Sequence, residues 1–323
     1  MLMIAPRTTF YYADEEVRRK DGIDEVRKRS RAAMMLGIAT FFWGMTFVVI
    51  KPLVRSVPPL QLVALRFLLA SVLLTPLAVR RRARLDRKTG VRGVLMGLVL
   101  FGGYFLQTAG LVHTDAGKSA FITSLYVVLT PLVLAVTGWG RTPRRMVLPA
   151  MAAMGGMYLL ADPSGGLNPG DALTAGSALC WAVHLALIDR FTRRGSELIL
   201  CLVQLVTVGL VSLGAALLLE RKDAVLGISQ IAGLVYLALP ATVLVVMWQL
   251  RWQPLLGAAP SALIYIGEAV VAATGGFLIF GESLPAAGWI GAALILVSTY
   301  WTVYMSERGK RKTSLAPSGI AER

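Results

Sequence analysis

Ten times along its 323 residues the chain runs through a mostly apolar stretch before charges or turn residues interrupt it. About 20 such residues are what a helix needs to cross the hydrocarbon core of a bilayer. The runs are 32–52, 59–79, 93–114, 118–140, 146–161, 171–189, 198–219, 229–250, 256–280 and 284–305, the fifth being short. They are apolar all round rather than striped, as lipid-facing helices are. None shows the ~10-residue alternating segments of a membrane barrel. The interruptions include Arg55-Ser56-Val57-Pro58-Pro59, Arg80 to Lys88, Asp162 to Gly166 and Glu220 to Asp223. Lipid offers the backbone no hydrogen-bond partner, so the pattern predicts an all-α integral membrane protein of ten transmembrane helices.

Composition agrees: 56% of residues are hydrophobic and 16% charged, against about a quarter charged in soluble domains. The 33 Lys and Arg against 18 Asp and Glu leave a net charge of +15. In a soluble chain that surplus would point to nucleic acid. Here the basic residues lie between the apolar runs, where they set topology and meet anionic lipid headgroups; no nucleic-acid partner is expected. With the amino terminus inside, segments 1–31, 80–92, 141–145, 190–197, 251–255 and 306–323 hold 27 basic residues. The outer loops hold five (Lys51, Arg55, Lys118, Arg221, Lys222), and Arg66 lies within a span. This bias predicts a multi-pass protein of the cell membrane, the inner membrane in a bacterium, with both termini cytoplasmic. Residues 1–31 lack the apolar core of a signal peptide. Cys180 and Cys201 lie in apolar runs and fit neither metal-ligand spacing nor a disulfide framework.

The chain also resembles itself. A shift of 142 residues places Ala116-Gly117-Lys118-Ser119-Ala120-Phe121-Ile122 on Ala258-Ala259-Pro260-Ser261-Ala262-Leu263-Ile264, and Gln107 on Gln249. A shift of 138 places Trp43 on Trp181 and Arg66 on Gln204. Two five-helix repeats follow, 32–161 and 170–305, joined by 162–169 and flanked by a basic amino-terminal segment, 1–31, and a basic tail, 306–323. Five is odd, so the second repeat enters from the opposite side. Inverted repeats of this kind permit alternating access around a site near the midplane, where the repeats meet.

Three stretches carry a family resemblance. Trp43-Gly44-Met45-Thr46-Phe47-Val48-Val49-Ile50-Lys51, with Pro59 and Arg66, resembles the first two helices of EamA-type drug/metabolite transporters. Gln107 through Pro131 resembles their third and fourth helices, and Gly281-Glu282 with Trp289 to Ile295 the last pair. Two departures stand out. Gly267-Glu268-Ala269 replaces the family's frequent Leu-Glu-Pro, and Gly140-Arg141 stands where the first half often carries an acid matching Glu282. The resemblance implies a ten-helix secondary carrier for small metabolites, amino acids or similar amphiphiles, often an exporter.

Polar groups inside the spans are the candidate site, because they are costly in lipid without partners. Glu268 is central to the ninth run, with Tyr265 one turn away; the reading is proton coupling or capture of a cationic substrate group, against a protonated acid bonded between helices. Arg66 could pair with Glu268, bind a substrate carboxylate or snorkel toward a headgroup. Pairs at i,i+3 share one helix face: Trp43 with Thr46, Tyr104 with Gln107, Thr123 with Tyr126, Trp181 with His184, and Tyr265 with Glu268. With Gln249 and its neighbour Trp248 they would line a cavity of aromatic faces and a few polar handles. His184 reads as a neutral hydrogen-bonder rather than a proton shuttle, Asp189 as solvated or locally paired, and Pro131 and Pro240 as kinks. No GxxxxGK[ST], HExxH, GxSxG or Cys/His cluster occurs, so no cofactor, metal or enzymatic activity is expected. The remaining partners are a small-molecule substrate, membrane lipids and protons. A passive channel, or less readily a membrane-embedded enzyme, is the competing reading.

Overall fold

The computed structural model describes residues 7–140, 142–161, 168–192, 196–281 and 286–314, with the side chains of 7–23, 160, 161, 303 and 306–314 left aside. Arg141, Glu282 and 162–167 of the linker, singled out above, lie outside the described residues. Among those described there are helices and no strands. In chain order they are α1 (Arg7–Leu53), α2 (Pro59–Arg80), α3 (Arg87–Gly110), α4 (Ala116–Thr123), α5 (Tyr126–Thr137), α6 (Val147–Ala161) and α7 (Pro169–Phe191). Then follow α8 (Glu197–Leu219), α9 (Ile228–Ala238), α10 (Val245–Leu256), α11 (Ala258–Tyr265), α12 (Gly267–Phe280) and α13 (Ala286–Ser314).

Among the described residues, eight stretches are long and apolar enough to cross a membrane: Asp24–Leu53, Pro59–Arg80, Arg87–Gly110, Ala116–Thr137, Pro169–Phe191, Glu197–Leu219, Ile228–Leu256 and Ala258–Phe280. The fifth and tenth expected spans fall short of that length. α6 has 15 residues, about 22 Å of helix against a core about 30 Å thick, and the apolar part of α13 is Ala286–Thr302. These two short elements pack on each other. Large apolar side chains such as Val136, Leu218 and Ile228 are left exposed on the outside, as a lipid-facing surface requires.

Packing follows one scheme throughout. α2 lies on α8, α3 on α7 and α8, α1 on α10 and α12, and α4 and α5 on α7. Two buried clusters fill the interior, one around α1, α11 and α12 and one around α2, α3 and α8, and Trp181 touches both.

Three spans are not continuous α-helix. Span 116–137 breaks at Ser124-Leu125 and span 258–280 at Ile266. At both joints the amides bond three residues back: Leu125 to the Ile122 carbonyl, and Ala269 to the Ile266 carbonyl. The first of these joints lies upstream of Pro131, which itself sits inside α5. Pro240 does coincide with an irregularity, a wide π-type turn over Leu239–Leu244. A proline has no amide proton to continue the α-ladder, and the wide turn rearranges the bonding around it.

Candidate functional site

The two joints meet in the interior. Tyr126 opens α5 just past the first joint, and Glu268 lies in the first turn of α12 just past the second. The Tyr126 hydroxyl donates to Glu268 Oε1 at 3.2 Å. The two residues are 142 apart, the same shift that aligned the sequence segments above. Backbone contact sets this geometry. A Cβ on Gly44 would come 2.6 Å from the Glu268 carbonyl oxygen and 2.5 Å from Val271 Cβ, so only glycine lets α1 lie this close to α12.

Around the pair is a cavity of about 30 Å³, lined by Trp43, Thr46, Phe47, Tyr104, Gln107, Thr123, Tyr126, Trp181, Leu185, Gln249, Tyr265 and Glu268. That is room for a water or two. Trp43 packs edge-on against Tyr265, centroids 5.1 Å apart, and Trp181 against Tyr104 at 4.8 Å. Gln107 Nε2 donates to Thr123 Oγ1 at 3.1 Å. The Trp43 and Trp181 indole N–H groups, the Tyr104 and Tyr265 hydroxyls and Gln249 Oε1 are buried with no well-placed hydrogen-bond partner among the described residues, although Trp43 faces Tyr104 and Gln249 faces Tyr265. Buried polar atoms are rarely left so. The lining thus offers donors from two indoles and two phenols, and acceptors from one amide and one carboxyl group.

Of the residues singled out from sequence as the candidate site, ten line this cavity: Glu268, Gln107, Gln249, Tyr104, Tyr126, Trp181, Tyr265 and Trp43, with the pair partners Thr46 and Thr123. Arg66, His184 and Trp248 do not. Arg66 is 2% exposed and makes no ion pair with Glu268. Its Nε donates to Thr242 Oγ1 at 2.7 Å and a terminal nitrogen to the Ala241 carbonyl at 3.0 Å, both in the wide turn. The guanidinium lies 4.5 Å over the Tyr104 ring, whose ring also meets Trp181. Arg66 therefore holds the irregular backbone of the span containing Pro240 and reaches the cavity only through Tyr104. His184 Nε2 lies 2.7 Å from Gln204 Oε1, and Gln204 Nε2 donates to the Leu200 carbonyl. With the amide so oriented, His184 carries its proton on Nε2. Trp248 is half-buried and packs on the larger cluster.

Phe47 and Leu185 were not among the sequence candidates. Each lies one turn past a cavity tryptophan, Trp43 or Trp181, and the 138-residue interval relates them.

The profile of the EamA-like transporter family matches residues 30–161 and 168–304. An uncharacterized transporter of Archaeoglobus fulgidus is 29% identical over 282 residues, covering 87% of this chain and 88% of that protein. A probable amino-acid metabolite efflux pump of Salmonella typhimurium is 28% identical, covering 81% of this chain and 91% of that protein. The protein of Escherichia coli with the same description is 26% identical, with the same coverage. A crystal structure of another chain, 20% identical, shares the fold with a TM-score of 0.69, covering 86% of this chain and 99% of that one. By these matches the chain is a multi-pass membrane protein that belongs to the EamA-like transporter family.

Proposed function

We propose that this transporter is a secondary carrier that exports a small zwitterionic or amphiphilic metabolite, an amino acid or a close relative, by alternating access. The carrying observation is the lining of the cavity. Buried donors with no well-placed partner among the described residues stand on Trp43, Trp181, Tyr104 and Tyr265, such an acceptor on Gln249, and the Glu268 carboxyl beside them accepts only from Tyr126. Indole and phenol donors suit a carboxylate, and Glu268 with Gln249 suits an ammonium group. Gln107 and Tyr126 complete the polar lining. Arg66 and His184 are assigned to support, through Tyr104 and Trp181 respectively, with centroids 6.4 Å apart in the latter pair. The names of the two efflux pumps point the same way.

Ten crossings in two inverted halves are part of the reading. The matched segments 30–161 and 168–304 are of like length. The packing scheme keeps its form when the halves are exchanged: α6 on α13, α2 on α8, α3 on α7 as α1 on α10, and α1 on α12 as α7 on α5. Both termini are placed in the cytoplasm of the cell by the basic residues. Glu268 is the proposed coupling group, because a carboxyl buried in a membrane is either protonated or paired with a cation. A substrate ammonium and a proton then compete for it, which drives exchange in opposite directions. The narrowness of the cavity favours a carrier over an open channel.

The test is counterflow. Proteoliposomes preloaded with unlabelled amino acid should accumulate labelled amino acid transiently and saturably, and an imposed pH gradient should drive net uptake. Linear, non-saturating flux would establish a channel, and product formation without flux an enzyme.

A further inference from the structure

Each cavity tryptophan begins a ladder along one helix face. On α1, Trp43, Phe47 and Lys51 follow at intervals of four; on α7, Trp181, Leu185 and Asp189 do the same. The 138-residue interval relates the ladders rung by rung, so the cation Lys51 stands where the other half has the anion Asp189.

The charged rungs stand at opposite ends of the molecule. Lys51 Nζ donates to the Thr114 carbonyl at 2.5 Å and the Leu111 carbonyl at 3.4 Å, and lies 3.6 Å from Asp115 Oδ1. Thr114 in turn donates to Asp171, in the first turn of α7. Asp189 lies 18 residues farther along α7, about 27 Å of helix, close to the thickness of the hydrocarbon core. There its Oδ1 accepts from Gln253 Nε2 at 2.9 Å and its Oδ2 from the Ala258 amide. Gln253 also donates to the Leu185 carbonyl at 2.8 Å.

Both charges grip the same connection in their respective halves. Lys51 holds the link from α3 to α4, and Asp189 the link from α10 to α11. Lysine takes carbonyls of the turn between the helices, at Leu111 and Thr114, and aspartate takes the amide that begins α11. Gly257, at φ +96°, makes the tight turn that brings the Ala258 amide to Asp189. Along each ladder an apolar rung (Phe47 or Leu185) thus lines the cavity, and a charged rung stands one turn beyond it.

We propose that Lys51 and Asp189 are the gate clasps of the two mouths, one broken for each side to open while the other holds. This rests on the carrier reading. The structure has both clasps made around a cavity with room for a water or two, as an occluded intermediate would.

The experiment is sided thiol labelling. A cysteine replaces Thr123 in the cavity, with Cys180→Ser and Cys201→Ala as background, and a membrane-impermeant maleimide is applied to right-side-out and inverted vesicles. Asp189→Ala should raise the labelling rate about tenfold, the scale of one hydrogen bond to a charged group, and only from the side of the amino terminus. Lys51→Met should raise it only from the opposite side, and Lys51→Arg should restore the slow rate. If Asp189→Ala does not reach the membrane, Gln253→Leu opens the same mouth. The proposal is overturned if the rates do not change, if both sides gain alike, or if the sides are reversed. A one-sided gain without saturable counterflow by the unmodified protein would keep the clasps and reject the carrier.

Discussion

The two jointed spans, 116–137 and 258–280, can be laid over one another by a shift of 142 residues, and so can their breaks. The side chains past the joints cannot. The first half presents Tyr126 and the second Glu268, and the two are bonded to each other. The second spans differ in the opposite sense: α2 carries Arg66 where α8 carries Gln204. On the proposed repeat, matching positions thus carry unlike chemistry in the two halves, with the acid in one and the buried cation in the other. Because the scaffold is held constant, substitutions at equivalent positions separate what the backbone needs from what transport needs.

The largest effect is expected at the acid. Glu268→Gln should abolish accumulation driven by a pH gradient while exchange of substrate for substrate survives; unchanged accumulation would show that the halves do not differ in coupling. Next is the cation. Arg66→Met leaves the wide turn at Ala241 and Thr242 without its donors, and thermal unfolding in detergent should show a loss of about 1–3 kcal/mol. Transport of neutral and zwitterionic substrates should suffer equally, since Arg66 does not line the cavity; a selective loss for zwitterions would mean that its charge is felt by substrate. Gly44 and Ala182 form a third matched pair, 138 residues apart. Gly44→Ala must push α1 from α12 and should cost about 1–3 kcal/mol, whereas Ala182→Gly should cost about 1 kcal/mol through helix propensity. Equal costs would show that the close approach is not particular to the half with the acid. Smallest is Tyr126→Phe, which removes one hydrogen bond worth about 1 kcal/mol and should shift the pH dependence of exchange while leaving its maximum nearly unchanged.

Much of this was legible in the chain because lipid simplifies the problem. A span announces itself by length and apolarity, and polar residues inside one are few enough to name, which is how ten of the twelve lining residues could be singled out. The remainder was hidden for identifiable reasons. Phe47 and Leu185 are apolar residues in apolar runs, distinguished only by lying one turn beyond a tryptophan in each half. The joint at Ser124-Leu125 has no proline or glycine to mark it, while Pro131, which does carry a signal, sits within α5. Arg66 could be recognised as a buried charge, but not its partners, which are a hydroxyl and a carbonyl released by a turn around Pro240 rather than a carboxylate. Asp189 reads from sequence as solvated or locally paired at a helix end, and its bond to the amide of Ala258 depends on a glycine turn 68 residues away.

The joints have a mechanical consequence. An unbroken helix tilts as a whole, so any movement at its centre drags both ends through the headgroups. At the joints the Leu125 and Ala269 amides already reach three residues back, and swinging one segment trades these bonds for others without stranding an amide in oil. Four half-length levers hinged near the middle of the membrane can then widen one entrance while the far segments stay docked, a smaller displacement than rocking two whole bundles past each other.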